Sequence, residues 1–246
     1  MKKIFLPVFL VMVLLPVAAS AQGLPTITLG LGQANNPQQV STALQVLFVL
    51  TILSMAPAIL LMTTAFIRIV IVLSFVRQAM GTQQMPPNQV IVGLALFLTL
   101  FIMMPVLTKI NNNALQPYLK KQIGQQQALQ RAVQPMRQFM FSQAREKDVA
   151  LLMNITDRPK PKNQADVPTT ALIPAFMLSE LTRAFQIGFM IYLPFLVIDM
   201  VVASVLMSMG MMMLPPVIIS LPFKLLLFVL VNGWDLVVGS LVQSFH

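Results

Sequence analysis

The stretch covering residues 174–235 limits the possible folds most strongly, because it is almost entirely apolar. It contains two long apolar runs on either side of a short segment, residues 207–216, which we call the methionine loop. Gly210, Pro215 and Pro216 interrupt helical structure there, so the sequence predicts a helical hairpin. Ionisable side chains are costly in apolar surroundings, and each is therefore a candidate functional residue. The stretch has five of them: Glu180, Arg183, Asp199, Lys224 and Asp235.

Two of these charges are predicted to meet across the hairpin. Asp199 and Lys224 lie at similar distances in sequence from the centre of the methionine loop, on opposite sides of it. Antiparallel packing of the two runs brings them level as a buried ion pair, although each side chain having a separate partner is the alternative. Loss of one member would leave the other charge buried and unpaired, at a cost of about 3–5 kcal/mol.

Glu180 and Arg183 allow two interpretations. Their three-residue spacing places them on one helical face, where the two side chains are able to pair within the helix. Alternatively, they pair with side chains of neighbouring copies and set the register of an oligomer. The sequence favours neither interpretation.

The methionine loop allows three interpretations. Its methionines are Met207, Met209, Met211, Met212 and Met213. Methionine is flexible and apolar, so a ring of such loops from several copies would form a deformable seal around a polypeptide in a pore. The second interpretation is ordinary hydrophobic packing at a helix end. The third is a Cu(I) site, because thioether sulfur binds Cu(I), but a copper channel usually adds histidine or cysteine, and the chain has no cysteine and only His246.

Composition indicates a membrane protein or a subunit of a membrane complex. Hydrophobic residues make up 57% of the 246 residues and charged residues only 9%, whereas soluble domains have about 25% charged residues. Residues 1–21 have a basic start, an apolar core and a small-x-small end, which together predict a cleaved signal peptide. An irregular N-terminal segment is expected over residues 22–42.

A first hydrophobic helical hairpin is predicted at residues 43–107, with spans at 43–62 and 89–107 and with helix continuing past Arg68. Residues 108–170 hold 14 of the 23 charged residues. Apolar residues recur there at helical spacing, which predicts an amphipathic helix. Its apolar stripe is expected either to pack within this polar helical insert or to contact a neighbouring subunit, and we favour the second because the insert is too small for a core of its own. Residues 171–246 form the second hydrophobic hairpin.

Several function classes find no support in the sequence. It contains no metalloprotease motif, no nucleophile–histidine pair and no phosphate-binding glycine loop, so we expect no enzyme, no cofactor and no metal. The net charge of +9 would suit nucleic acid, but the chain has neither zinc-ligand cysteines nor a long basic tract. A basic excess is common beside anionic lipid, so we expect membrane lipid as a partner and no nucleic acid.

Two segments carry a resemblance to a known family. Residues 179–216, SELTRAFQIGFMIYLPFLVIDMVVASVLMSMGMMMLPP, and residues 219–237, ISLPFKLLLFVLVNGWDLV, resemble the FliP family of flagellar biosynthetic proteins. The resemblance implies a pore-forming subunit of the flagellar type III protein export gate, with the methionine loop as its gasket. Such a subunit passes unfolded flagellar proteins across the inner membrane at the flagellar basal body. The implied partners are further copies in a ring, FliQ and FliR as core partners, and FlhA and FlhB nearby.

The sequence thus predicts an all-α membrane-complex protein with two long hydrophobic helical hairpins and a polar helical insert. A cleaved signal followed by two spans would place the basic insert outside the cytoplasm, against the positive-inside rule. The resemblance removes this conflict, because it implies helices held in a cone largely above the membrane plane. Two other functions are compatible with the chain: a small-solute or Cu(I) channel, and a structural scaffold whose partners form the pore. The virulence-secretion subunit is similar to the family, but the signal sequence and the unbroken MSMGMMMLPP favour the flagellar member.

Overall fold

The computed structural model describes residues 37–82, 85–155, 161, 163–211 and 214–245. All regular secondary structure in these ranges is helical, which confirms the predicted all-α class. The helices are α1 (Pro37–Met62), α2 (Phe66–Ala79), α3 (Asn88–Ile110), α4 (Gln116–Leu119), α5 (Gln125–Gln143), α6 (Glu146–Ile155), α7 (Thr169–Ser208), α8 (Pro216–Leu230) and α9 (Gly233–Gln243). A π-helical turn at Asn111–Leu115 joins α3 to α4, and a 3-10 turn at Gln164–Asp166 precedes α7. The predicted signal peptide at residues 1–21 lies outside the described residues.

Three helical stretches in these ranges are long and apolar enough to cross a membrane: Leu44–Met62, Asn88–Leu119 and Thr169–Ser208. The α8 and α9 helices meet at a bend of 64° and form a fourth candidate span when taken together. A membrane-spanning helix needs about 20 residues. The α7 helix has 40 residues and is therefore about 60 Å long, roughly twice the length that a bilayer requires.

Three predicted boundaries are wrong. The α1 helix begins at Pro37, inside the segment expected to be irregular, because the fixed φ of proline suits a first helical turn. Helix does not continue unbroken from α1 to Arg68, since residues 63–65 form a turn in which Thr63 Oγ1 donates to the Ile59 carbonyl at 2.9 Å. The α3 helix runs past residue 107 to Ile110 with Pro105 inside it, as apolar helices of membrane proteins tolerate.

Residue contacts divide the chain into two units within α1, after Thr51. In the N-terminal unit, the described part of α1 exposes large apolar side chains, including Leu44, Leu47 and Phe48. All packing and all sites described below belong to the unit that begins at Ile52.

The α2 helix forms the centre of the larger unit and packs against α7 and α3. Its buried residues, among them Ile69, Val72 and Val76, recur at helical spacing and are completely shielded from solvent. Each contributes about 1.5–3 kcal/mol through burial. The α2 and α7 helices approach closely because position 188 is glycine: a Cβ atom at Gly188 would lie 2.5 Å from Phe75 Cδ2.

A smaller cluster holds the polar insert against the start of α7. Met140 of α5 and Met153 of α6 pack with Leu172 and Phe176 of α7, and all four are buried. The predicted amphipathic helix is present as α5. Part of its apolar stripe is not covered by this chain, since Leu129 remains 66% exposed.

Candidate functional site

The α7–α8 hairpin turns at the methionine loop, as predicted. The α7 helix ends in a Schellman motif: Gly210 N–H donates to the Met207 carbonyl and Met211 N–H to the Leu206 carbonyl, both at 3.0 Å. Gly210 has a φ of +75°, a left-handed conformation that glycine adopts without the steric penalty of a Cβ. Pro216 then occupies the first turn of α8. The local sequence therefore defines where one helix stops and the next begins.

The methionines before the turn lie on the surface of the chain. Met207, Met209 and Met211 are 60%, 61% and 43% exposed. Met212 and Met213, which the sequence also placed in the seal, fall outside the described residues. The tip of the hairpin thus offers flexible thioether side chains that the rest of this chain does not cover.

Asp199 of α7 and Lys224 of α8 form the predicted contact across the hairpin. Lys224 Nζ lies 2.6 Å from Asp199 Oδ2, and the lysine is only 2% exposed. Ser220, one helical turn before Lys224, donates to the other carboxylate oxygen of Asp199. Sequence reasoning missed Ser220, although a polar residue four positions before the lysine, on the same face of an apolar helix, is the available signal.

A second ion pair is completely buried. Arg68 of α2 donates through Nε to Glu180 Oε2 at 2.9 Å and through Nη2 to Glu180 Oε1, and both side chains are 0% exposed. Its remaining guanidinium hydrogens donate to Gln143 Oε1 at 2.9 Å and to Ser244 O and Oγ at 2.8 and 2.9 Å. The Phe245 ring packs on the guanidinium, with its centroid 3.7 Å from Cζ. All five donors of this arginine are therefore used.

The predicted pair between Glu180 and Arg183 within α7 is not among the ion pairs of the described residues. Glu180 instead pairs with Arg68, and Arg183 Nη1 donates to Gln143 Oε1 at 2.7 Å. The reason is geometric, because Arg68 enters from a neighbouring helix and presents two parallel donors to the carboxylate. Gln143 also donates to the Phe245 carbonyl at 3.1 Å. One network thus joins α2, α5, α7 and the C-terminal turn.

A third polar cluster lies where α5 meets α6. Arg145 donates to both oxygens of Asp148 at 2.7 and 3.1 Å and to Thr182 of α7 at 2.7 Å. Ser179 of α7 donates to Asp148 at 2.6 Å. Burial alone would raise the pKa of Asp148, but the hydrogen bonds from Arg145 and Ser179 outweigh it and hold that pKa below its usual value.

No group of three or more histidine, aspartate or glutamate side chains in the described part of the chain is arranged to hold a metal ion. The buried charges are engaged with one another and with backbone or amide groups. Their arrangement joins α2 and α5 to α7, and α7 to α8.

Comparison with known proteins identifies the family. The family model described as the FliP family matches residues 49–241, which include the entire hairpin. The chain belongs to the FliP family. The resemblance seen in the sequence is thereby confirmed, and the chain is a flagellar biosynthesis protein with membrane-type helices.

Similar proteins from distant bacteria span nearly the whole chain. The flagellar biosynthetic protein FliP of Bacillus subtilis (strain 168) is 58% identical over 212 residues, covering 86% of this chain and 96% of the relative. FliP of Caulobacter vibrioides is 50% identical over 233 residues, covering 95% and 86% of the two chains. FliP of Pectobacterium carotovorum subsp. carotovorum is 52% identical over 212 residues, covering 86% and 82%. The FliP family match ends before Ser244 and Phe245, so two partners of Arg68 lie beyond it.

Proposed function

We propose that this FliP-family chain is a pore-forming subunit of the flagellar type III protein export gate. In this role it passes unfolded flagellar proteins across the bacterial inner membrane, at the flagellar basal body. The observation that supports the proposal is the exposed methionine loop at the end of a firmly braced hairpin. Met207, Met209 and Met211 are exposed there, while Asp199, Ser220 and Lys224 hold the two helices together behind them.

A rigid α7–α8 hairpin with flexible methionine side chains at its end suits a seal that opens around a polypeptide. The contacts among Asp199, Ser220 and Lys224, which we call the brace, fix the position of the hairpin tip together with the capped end of α7. Methionine side chains adapt to the shape of whatever they contact. A single hairpin does not enclose a channel, so the seal requires loops from several copies around a common axis. The exposed apolar side chains of α7 and α8 fit this requirement, because surfaces of this kind mark contacts with protein or membrane. They include Phe189, Met190, Val201, Phe223, Val229 and Leu230.

The proposed partners follow from the family resemblance. They are further copies of the chain in a ring, FliQ and FliR as core partners, FlhA and FlhB nearby, unfolded flagellar export substrates and membrane lipid. The proposal gives the chain no catalytic role, no cofactor, no metal and no nucleic acid, so the energy for export comes from other components.

The test replaces the gasket methionines while leaving the brace intact. We expect alanine at Met207, Met209, Met211, Met212 and Met213 together to make cells leak ions, with the native mass of the detergent-solubilised particle unchanged. Met104→Ala is the control, because Met104 is 58% exposed but lies in α3, outside the methionine loop. An assembled gasket variant that does not leak would show that partners form the pore and that this chain is a scaffold.

Two further measurements would overturn the proposal. A single-copy mass for the native particle in mild detergent would exclude a pore formed between copies. Stoichiometric Cu(I) in the purified protein would favour the copper channel over the gasket, because the same methionines would then be metal ligands.

A further inference from the structure

Asp235 is an acid without a counter-charge. Its side chain is exposed in the first turn of α9, and no described side chain or backbone N–H donates to its carboxylate. The other acids of the apolar helices are engaged, Glu180 by Arg68 and Asp199 by Lys224. An acid in the first turn is favoured by the helix dipole, but the surrounding surface is apolar, with Val231, Trp234 and Leu236 all exposed.

Arg77 is a cation that pairs with no acid of the described residues. Arg77 lies in the last turn of α2. Its Nη1 donates to the Pro86 carbonyl at 3.4 Å and to Asn88 Oδ1, and both acceptors are neutral. Pro86 also lines a cavity of about 220 Å³ together with Trp234, the neighbour of Asp235. Arg77 and Asp235 are therefore each next to a residue that lines this cavity, although no described ion pair joins them within the chain.

Two other cations of the apolar helices, Lys109 and Arg183, have no acidic partner among the described residues, and both lie too far away. Lys109 is in the last turn of α3, about 30 Å along the helix from Asn88, which Arg77 contacts. Arg183 donates to Gln143, which in turn holds the carbonyl of Phe245 beyond the opposite end of α9. Asp235 and Phe245 are separated by the length of α9, about 15 Å at 1.5 Å per residue. Of these three cations, only Arg77 contacts a residue, Pro86, that lines the same cavity as Trp234.

We infer that the surface around Trp234 and Asp235 is an interface between copies, closed by an ion pair from Asp235 of one copy to Arg77 of the next. The inference rests on the proposed multi-copy pore. Because each copy carries both residues, such a contact is able to repeat from one copy to the next around a ring. The apolar surroundings strengthen such a pair relative to one in bulk water. A lipid surface fits less well, because anionic head groups would attract Arg77 but repel Asp235.

Charge reversal tests the pair directly. We expect Arg77→Asp and Asp235→Arg each to shift the detergent-solubilised particle from the multi-copy mass to the single-copy mass, with helix content by circular dichroism unchanged. The double variant should restore the multi-copy mass. The matched control combines Lys109→Asp with Asp235→Arg and should not restore it, because Lys109 is exposed in the last turn of α3. A multi-copy mass for both single variants, or no restoration in the double variant, would overturn the inference.

Cysteine cross-linking provides a test that needs no charge reversal, because the native chain has no cysteine. A chain carrying Arg77→Cys and Asp235→Cys should form a ladder of oxidised multimers. A chain carrying Arg183→Cys and Asp235→Cys should remain single. Equal cross-linking of the two chains, or of neither, would overturn the assigned contact.

The fluorescence of Trp234 distinguishes a protein partner from lipid at this surface, because Trp234 is the only tryptophan in the chain. In vesicles with brominated acyl chains, its fluorescence should stay unquenched in the assembled particle and become quenched in the Asp235→Arg variant. Strong quenching in the assembled native particle would assign the surface to lipid and overturn the inference. The proposed pore would still stand in that case if the particle remained multi-copy and the gasket variant leaked.

Discussion

The Arg68–Glu180 pair gives the largest stability prediction. Both side chains are 0% exposed, and the carboxylate accepts two of the five guanidinium hydrogens. Glu180→Gln preserves the size of the side chain, but it removes the negative charge and replaces one acceptor oxygen by an NH₂ group that faces other donors. Arg68 would then be a buried cation held only by neutral acceptors, on Gln143, on Ser244 and on the one oxygen left at position 180. Breaking a buried pair in this way costs about 3–5 kcal/mol.

This free energy corresponds to a readily measured change in melting temperature. One kcal/mol lowers the Tm of a chain of this size by about 2–4 °C, so Glu180→Gln should lower it by about 6–20 °C. The assay is thermal unfolding of the detergent-solubilised protein, followed by the helical circular dichroism signal. Lys109→Met removes an exposed cation and serves as the control, with an expected change within about 0.5 kcal/mol.

A variant without either charge tests the reasoning further. Arg68→Met combined with Glu180→Met leaves no unpaired charge in the core, so it should be more stable than either Arg68→Met or Glu180→Gln alone. A double variant less stable than both single variants would contradict the electrostatic explanation. A Glu180→Gln protein that melts within about 2 °C of the native chain would refute the buried pair itself.

Three other changes should have distinct effects. Asp199→Ala should abolish the multi-copy particle in native mass measurements, because it leaves Lys224 buried and unpaired, and adding Lys224→Met should restore part of the assembly. Asp148 has a lowered pKa in the folded chain, so its stabilising contribution is complete above about pH 4 and is lost as the pH falls through that lowered value in acid denaturation experiments. Gly188→Leu should destabilise the chain by about 1–3 kcal/mol in thermal unfolding, because its side chain would overlap the Phe75 ring.

Each of these three predictions has a control. Lys224→Met that restores nothing would mean that Asp199 acts through some other partner. Asp148→Asn should reduce the loss of stability at acid pH, and an unchanged loss would mean that other carboxylates cause it. Gly239→Leu is matched to the Gly188 variant, because a Cβ at Gly239 meets no atom within 4 Å. Equal destabilisation by the two leucines would rule out helix contact as the cause.

Local patterns were sufficient to predict the hairpin and its brace. Gly210 and the two following prolines mark the turn, and once the turn is known, antiparallel geometry alone brings Asp199 and Lys224 together. The amphipathic α5 was equally accessible, because its apolar spacing is regular. Helix formation and short hairpins depend on neighbouring residues, so a single sequence contains the information that they need.

Contacts between distant parts of the chain were not predictable in the same way. Glu180 stands out in the sequence as a charge in an apolar stretch, but Arg68 lies 112 positions away and no local period relates the two. Local spacing offers only Arg183 or a residue of a neighbouring copy as the partner of Glu180, and neither is its partner in the structure. The turn at residues 63–65 was missed for a different reason: apolar sequence continues through it, and hydropathy does not distinguish one helix from two.

The network around Arg68 also has a consequence for biosynthesis. Ribosomes make Arg68 early, whereas Glu180 and Ser244 follow more than one hundred residues later. Until Glu180 is synthesised, the guanidinium lacks its native carboxylate, and until Ser244 is synthesised, two of its hydrogens lack their native acceptors. The network around Arg68 is therefore complete only when the last helical turn has been synthesised. A chain that stops short of Ser244 leaves donors of a buried arginine unsatisfied, and this would distinguish it from a finished subunit before assembly begins.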